Sequence, residues 1–310
     1  MVGGAPAKKV SRKADCPRTK FQNILLATDF SGSANLAVAY AAGMARSFGA
    51  KLYAMHVQEP VNYALPLETW QGLELTRQLE VDLLFEAVRR ECAEITPHVL
   101  LGEGVVWRAV EDAVTKHEID LVVVGTRGRT GIGKALLGSV AEEIIRHASC
   151  PVLTVGPRVC QVQRRRGRML SILFATDFGP ASLDAAPIAV SLAEEYQSKL
   201  TLLHVMDNRA GRSAEMRMPD DFGDSRERQL RALVPDDAPM WCEPHYIIQY
   251  GVPSEKILEE ADARDADLIV LGVHNPEGVP GAASHLPIAT VHNVIAHATA
   301  PVLTVRSKSQ

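Results

Sequence analysis

Leu121-Val-Val-Val-Gly125-Thr-Arg127-Gly128-Arg129-Thr-Gly-Ile-Gly133-Lys134-Ala135-Leu-Leu-Gly138-Ser139 runs from an apolar stretch through a glycine-rich loop into a segment of helical period, Ser139 to His147. A short, unbroken apolar run bounded in this way reads as a strand buried on both faces, the pattern of a parallel sheet. The loop spacing is Gly-x2-Gly-x9-Gly-Ser, and it occurs once in full. Glycines let backbone N–H groups approach an anion with no Cβ in the way, and Gly138-Ser139 opens a helix whose N-terminus is positively polarised. With Arg127, Arg129 and Lys134 supplying charge nearby, the stretch reads as a phosphate cradle; the competing reading is a solvated glycine turn without a ligand. Gly128-x4-Gly133-Lys134-Ala135 departs from the Walker A pattern at its last position, because Ala135 has no hydroxyl to hold Mg²⁺. Leu136-Leu137-Gly138 also intervenes before the helix starts.

The stretch belongs to one half of an internal repeat of roughly 150 residues, a period that indicates duplicated domains rather than a solenoid. Asn23-Ile-Leu-Leu-Ala-Thr-Asp29-Phe30 returns as Ser171-Ile-Leu-Phe-Ala-Thr-Asp177-Phe178, and Lys51 to His56-Val57 returns as Lys199 to His204-Val205. Ile119-Asp-Leu-Val-Val-Val-Gly125 returns as Ala266-Asp-Leu-Ile-Val-Leu-Gly272, and Pro151-Val-Leu-Thr-Val as Pro301-Val-Leu-Thr-Val. Four blocks in one order define a first domain over 21–156 and a second over 169–310. Residues 157–168, with Arg164, Arg165, Arg166 and Arg168, read as an exposed linker. Residues 1–20 are polar, basic and interrupted by Pro6 and Pro17, which predicts a disordered tail with no hydrophobic signal core.

Each half alternates strands and helices. In the first, the pattern predicts strands at 21–28, 51–57, 98–101, 121–125 and 151–155, and helices at 33–48, 68–95, 106–117 and 139–147. Such an order implies a doubly wound α/β domain with a parallel sheet covered on both faces. If the strand order is 3-2-1-4-5, the switch point lies between strands 1 and 4, and ligands of open α/β sheets bind beyond the strand ends at that point. Asp29 and the loop from Gly125 then face one crevice. For Asp29, capping of the helix near Ser31 or Ser33 is an equally good and compatible reading.

Composition bounds the function. The chain has 310 residues, 46% apolar and 23% charged, with a formal net charge of −4, which makes no field to recruit nucleic acid or an anionic membrane. No apolar stretch is long enough to span a bilayer. The five cysteines, at 16, 92, 150, 160 and 242, contain no Cys-x2-Cys pair and are odd in number, so neither a disulfide framework nor a zinc site is suggested and a reducing cytoplasm fits best.

These residues resemble the universal stress protein family in its tandem two-domain form. The resemblance rests on Ala27-Thr-Asp29-Phe30, His56-Val57, the Gly-x2-Gly-x9-Gly-Ser loop and Pro151-Val-Leu-Thr-Val, with their repeats. It implies two five-stranded, adenine nucleotide alpha hydrolase-like domains and a stress-response protein holding ATP, ADP or AMP, with or without Mg²⁺. Carried over, Ala27 and Asp29 would lie beside adenine and ribose, and the Val57 backbone would meet the adenine edge. Gly125, Arg127, Gly128, Arg129, Gly138, Ser139 and Val140 would surround ribose and phosphates. Ala27 stands where nucleotide-binding members often carry proline.

No catalytic residue and no metal ligand is assigned, so the expected role is regulatory, with a protein partner left unidentified. A slow Mg²⁺-dependent ATPase or nucleotidyl transferase, and a ligand-free interaction module, remain the alternatives. Pyrophosphatase-type ATP enzymes need Ser-Gly-Gly-x-Asp-Ser after strand 1, where this chain reads Thr28-Asp-Phe-Ser-Gly-Ser33. In the second half Asn275 replaces Gly128, and a gapless alignment back from Pro301 puts Ile288 and Ala289 at Gly138 and Ser139. Side chains would then occupy the phosphate space, so that half is expected not to bind ATP in the usual way. Family members pair through their last strands, which predicts that 152–155 and 302–305 pair within this chain as a pseudo-dimer; a further homodimer stays open.

Overall fold

The computed structural model describes residues 19–58, 67–91, 93–126, 137–159, 169–206, 221–238, 242–273 and 288–307. The predicted tail before residue 19 and the linker over 160–168 lie outside these residues. The described residues form eighteen elements. The first half holds β1 (Asn23–Ala27), α1 (Gly32–Phe48), β2 (Lys51–Gln58), α2 (Leu67–Glu91), β3 (His98–Glu103), α3 (Val106–Lys116), β4 (Leu121–Gly125), α4 (Ser139–His147) and β5 (Val152–Val155). The second holds β6 (Ser171–Thr176), α5 (Pro180–Tyr196), β7 (Lys199–Met206), α6 (Asp221–Arg231), β8 (Pro244–Tyr250), α7 (Pro253–Ala263), β9 (Leu268–Val273), α8 (Ile288–His297) and β10 (Val302–Arg306). Element types match the sequence reading; α2 is described to Glu91, and residues 93–95 are not helical, so the helix falls short of the expected end at Ile95.

The strands form one ten-stranded sheet, β3-β2-β1-β4-β5-β10-β9-β6-β7-β8. Each half thus has the order 3-2-1-4-5, and every pairing within a half is parallel. The apolar runs alternate between two cores, as a period of two requires. Ile24, Leu26, Leu121 and Val123 face the layer of α1, α2, α5 and α6, while Leu25, Val122 and Val124 face that of α3, α4, α7 and α8.

β5 and β10 join the halves antiparallel, with Leu153 opposite Leu303 at the pseudo-twofold axis. The expected pseudo-dimer is therefore built into the chain. The repeated Pro-Val-Leu-Thr-Val block has a physical reason here. Thr154 Oγ1 donates to the Val302 carbonyl at 3.0 Å and Thr304 Oγ1 to the Val152 carbonyl at 3.2 Å, both buried, so neither hydroxyl is left unsatisfied at the seam. Arg306 reaches back from β10 to the Ala148 carbonyl at the end of α4, and Arg158 reaches the His297 carbonyl at the end of α8.

Other repeated residues hold the elements in register. Asp120 accepts the Gln22 and Asn23 N–H groups, and Asp267 accepts those of Leu170 and Ser171, tying the start of each first strand to the start of its neighbour. Ser31 caps α1 by accepting the Ala34 N–H, and Gly49 ends it at φ 63°, in the left-handed region glycine tolerates. Small residues bring the first helix of each half close to the sheet: Ala37, Ala41 and Ala45 on α1 and Ala185, Ala189 and Ala193 on α5 are all 1% exposed or less. The closest approach is at Gly272, where an added Cβ would lie 2.3 Å from the Ser182 nitrogen. Backbone on both sides leaves no side chain to move aside. Gly272→Ala is expected to destabilise the protein by about 3 kcal/mol or more in urea unfolding; a loss below about 1 kcal/mol would show that α5 shifts freely at this contact.

Candidate functional site

The turn after β1 is shaped by its own short side chains. Thr28 Oγ1 accepts the Phe30 N–H at 3.1 Å, and Asp29 Oδ1 accepts the Ser31 N–H at 3.0 Å. Ser31, not Asp29, is the helix cap; Asp29 sets the turn one step before it. Phe30 is held at φ 63°, an unfavourable value for a bulky residue, and its ring packs 4.8 Å from that of His56. His56 Nδ1 lies 2.8 Å from the Thr28 carbonyl oxygen, which can only accept, so Nδ1 carries the proton of this bond. On α2, Glu80 accepts from Gln58 and lies 3.8 Å from His56 Nε2.

The second half repeats the device. Thr176 Oγ1 accepts from Phe178, Asp177 Oδ1 from Gly179, and His204 Nδ1 donates to the Thr176 carbonyl at 2.8 Å, with Phe178 at φ 62°.

Beyond the ends of β1, β2 and β4 lies a cavity of about 200 Å³. Among the described residues its walls are four segments, 27–29, 55–57, 124–126 and 138–141, with Ala34 and Val106. The ends of the glycine loop are drawn together at its mouth: Thr126 N–H bonds the Val155 carbonyl at 3.1 Å, and Gly138 N–H bonds the Thr126 carbonyl at 2.8 Å.

Two sets of backbone groups serve this cavity. Gly138 caps α4 without any side-chain hydrogen bond, and the first intrahelical bond runs from Glu142 N–H to the Gly138 carbonyl. The amides of Ser139, Val140 and Ala141 therefore have no acceptor within the helix, and all three residues line the cavity. The helix dipole adds positive potential there. The other set follows from ladder alternation on β2. The Met55 carbonyl accepts from Thr28 on the β1 side, and the Gln58 carbonyl accepts from Gly104 on the β3 side. Val57, two residues after Met55, turns its N–H and carbonyl to the β1 side, where β1 has already ended.

Of the residues expected from sequence, Ala27, Asp29, Val57, Gly125, Gly138, Ser139 and Val140 all line this one cavity. Arg127, Gly128 and Arg129, with Lys134, lie outside the described residues. Thr28, Met55, His56, Thr126 and Ala141 join the walls without having been assigned to the site. The repeat of Thr28 and His56 as Thr176 and His204 was the signal that could have found two of them. Ala34 and Val106 carried no such signal.

The corresponding place in the second half is built differently. Ser182, 1% exposed, stands where the first half has Ala34, and its hydroxyl donates to Asp177 Oδ1 at 2.5 Å. The backbone of Ala181 and Ser182 lies directly on Gly272, and α8 begins at Ile288, the residue aligned with Gly138. Arg226 lies 5.5 Å above the Phe178 ring.

The universal stress protein family model matches residues 20–156 and again residues 169–306. The chain belongs to the universal stress protein family. It is similar to a universal stress protein of Mycolicibacterium smegmatis, 28% identical over 300 residues that cover 92% of this chain and 97% of the relative. A universal stress protein of Thermus aquaticus is 37% identical over 139 residues, 44% of this chain and 98% of its own. The crystal structure of a universal stress protein from Archaeoglobus fulgidus aligns over 92% of this chain and 98% of its own with a TM-score of 0.64, at 20% identity, a likeness of fold.

One ionisable group of this universal stress protein links the second copy's turn to pH. Burial holds the His204 imidazole below the usual histidine range and Arg226 pushes the same way, against the Thr176 carbonyl and Asp177. Above about pH 6.5 the ring is neutral in both folded and unfolded chains, so its contribution to stability is fully present. As pH falls below that value the unfolded chain gains a proton that the folded one resists, and stability declines. The drop in urea midpoint from about pH 7.5 to about pH 5.5 is expected to be smaller in His204→Gln than in the parent; equal drops would show that His204 does not carry the effect.

Proposed function

We propose that the first half binds an adenine nucleotide, ATP, ADP or AMP, and that the protein acts as a regulatory stress-response protein without efficient turnover. The observation that carries this reading is the meeting, on one cavity, of the spare N-terminal amides of α4 with the Val57 donor–acceptor pair. An N–H beside a C=O on one strand edge complements the N1 and N6 positions of adenine. Helix amides and a glycine cap with no Cβ suit phosphate oxygens. In this reading Asp29 accepts from ribose hydroxyls, Ala27 packs against the base, and Gly125, Ser139 and Val140 line ribose and phosphates. Arg127, Gly128 and Arg129 are assigned to the phosphates from sequence.

Asp29 is the one carboxylate among the described residues of the cavity, and its Oδ1 already holds the Ser31 amide. Phosphoryl transfer calls for metal ligands and a group that positions the nucleophile. Mg²⁺ would therefore be held chiefly by the nucleotide, where it would neutralise phosphate charge. The second half, with Ile288 at the glycine position and Ser182 engaged on Asp177, serves as scaffold in this proposal. We assign the protein to the reducing cytoplasm on its cysteines, and its output to a protein partner that senses the loaded first half.

Native mass spectrometry of the protein equilibrated with ATP is expected to show one nucleotide per chain. In fluorescence titrations, Gly138→Val should weaken binding by about 100-fold and Asp29→Ala by about 10-fold. Failure of ATP to bind, with Gly138→Val changing nothing, would overturn the reading. Single-turnover phosphate release at background level, with and without Mg²⁺, is the expected result for a binding protein; release above background would establish the ATPase instead.

A further inference from the structure

Gly102 lies inside β3 without a positive φ, so its backbone conformation does not call for glycine. Space does. A Cβ added there would lie 2.7 Å from Met55 Cε, 3.1 Å from Ala109 Cβ and 3.1 Å from Val57 Cγ2. Glycine inside a strand weakens it and often marks a close approach. Here the approach is made chiefly by the tip of a methionine, an unbranched side chain that adapts readily to irregular gaps. Met55 and Val57 both line the cavity, whereas Gly102 stands behind them on the edge strand.

The second half resolves the same place in another way. Val57 has Gly102 as its partner on the edge strand, while its repeat Val205 has Gln249. Leu203 takes the position of Met55 in the ladder with the first strand, and Lys256 that of Ala109 on the following helix. The Gln249 amide donates to Glu260 Oε1 at 2.7 Å, and Leu203 is fully buried. Where a side chain fills the niche, the shorter, branched leucine has replaced methionine. The half with the spare α4 amides keeps both the methionine and the niche that houses its methyl.

A methyl displaced from this niche has one roomy neighbour. Met55 is 4% exposed, paired with Ala27 on one side and backed by Gly102 on the other, and it borders the cavity. Ala27, Met55 and Val57 together form the end of the cavity assigned above to the base, away from the start of α4. We propose that Gly102 is a specificity-determining residue of the nucleotide site, making room for a purine base by holding the Met55 methyl behind the wall. This inference rests on the nucleotide reading of the first half and adds to it a residue that never touches the ligand.

Calorimetric titration of ATP and of UTP into the full chain tests the proposal. Gly102→Ala should weaken ATP by about 10-fold, the effect of overpacking by about one methyl group. UTP, whose single-ring base leaves that room unused, should bind parent and variant alike. Adding Met55→Leu, the residue that stands there in the second half, should return ATP to within about twofold of the parent. A parent chain that takes up no ATP would overturn the nucleotide reading and this inference with it. ATP bound equally by the parent and Gly102→Ala, equal losses for ATP and UTP, or a loss that Met55→Leu does not repair would overturn this inference alone. So would a Gly102→Ala chain whose circular dichroism shows that it folds only with Met55→Leu, or not at all, since the methyl would then have no way into the cavity.

Discussion

A parallel half-sheet ordered 3-2-1-4-5 ends in an exposed strand whose unpaired backbone groups invite association. In this chain the two such strands, β5 and β10, satisfy one another. The contact is short, but it is fully buried and its two threonine hydroxyls cross the seam in a symmetric pair. Much else depends on it. It merges the two cores above and below the sheet into continuous layers. It also lets Arg158 and Arg306 cap helices belonging to the opposite half. An aggregation-prone edge becomes the axis of the molecule.

The same architecture sets up the cavity. Because β1 and β4 are neighbours whose following helices leave on opposite faces, the chain opens a gap beyond their carboxyl ends. What fills the gap is decided by small choices. The first half has Ala34 at its edge and Gly138 at the start of α4; the second has Ser182, bonded to the aspartate of its own turn. Both halves keep the Thr-Asp-Phe turn and its histidine, at the cost of a strained aromatic residue. The turn is kept in the second half, where Asn275 stands in place of Gly128 in the sequence, and in both halves it leads into the first helix.

Glu80 brings α2 against His56, a residue of the cavity wall. The long helix thus touches the wall of the candidate nucleotide site on one face and exposes Leu75, Leu79 and Leu83 on another. In the second half α6 instead sets Arg226 over the phenylalanine of the turn. Divergence between the halves is therefore concentrated in the glycine loop, this helix and the edge strand at Gly102, while the central strands and their small-residue helices remain alike.

Element types were legible in the sequence from local periodicity, glycine and the repeat, and the crevice followed from them once the order 3-2-1-4-5 was taken as a condition. Gly125, Gly138 and Ser139 could be named from the glycine spacing and the helix start, and Asp29 from its place at the end of strand 1, whereas Val57 came from the family resemblance. The pairing of the last strands was implied by the family resemblance. Tertiary structure alone decided that Ala34 and Val106 line the cavity, that Ser31 and not Asp29 caps α1, that Ser182 lies on Gly272, and that three leucines of α2 face outward. Those facts are contacts between segments far apart in the chain, or the lack of one, and no local pattern encodes which side of an amphipathic helix will find a neighbour.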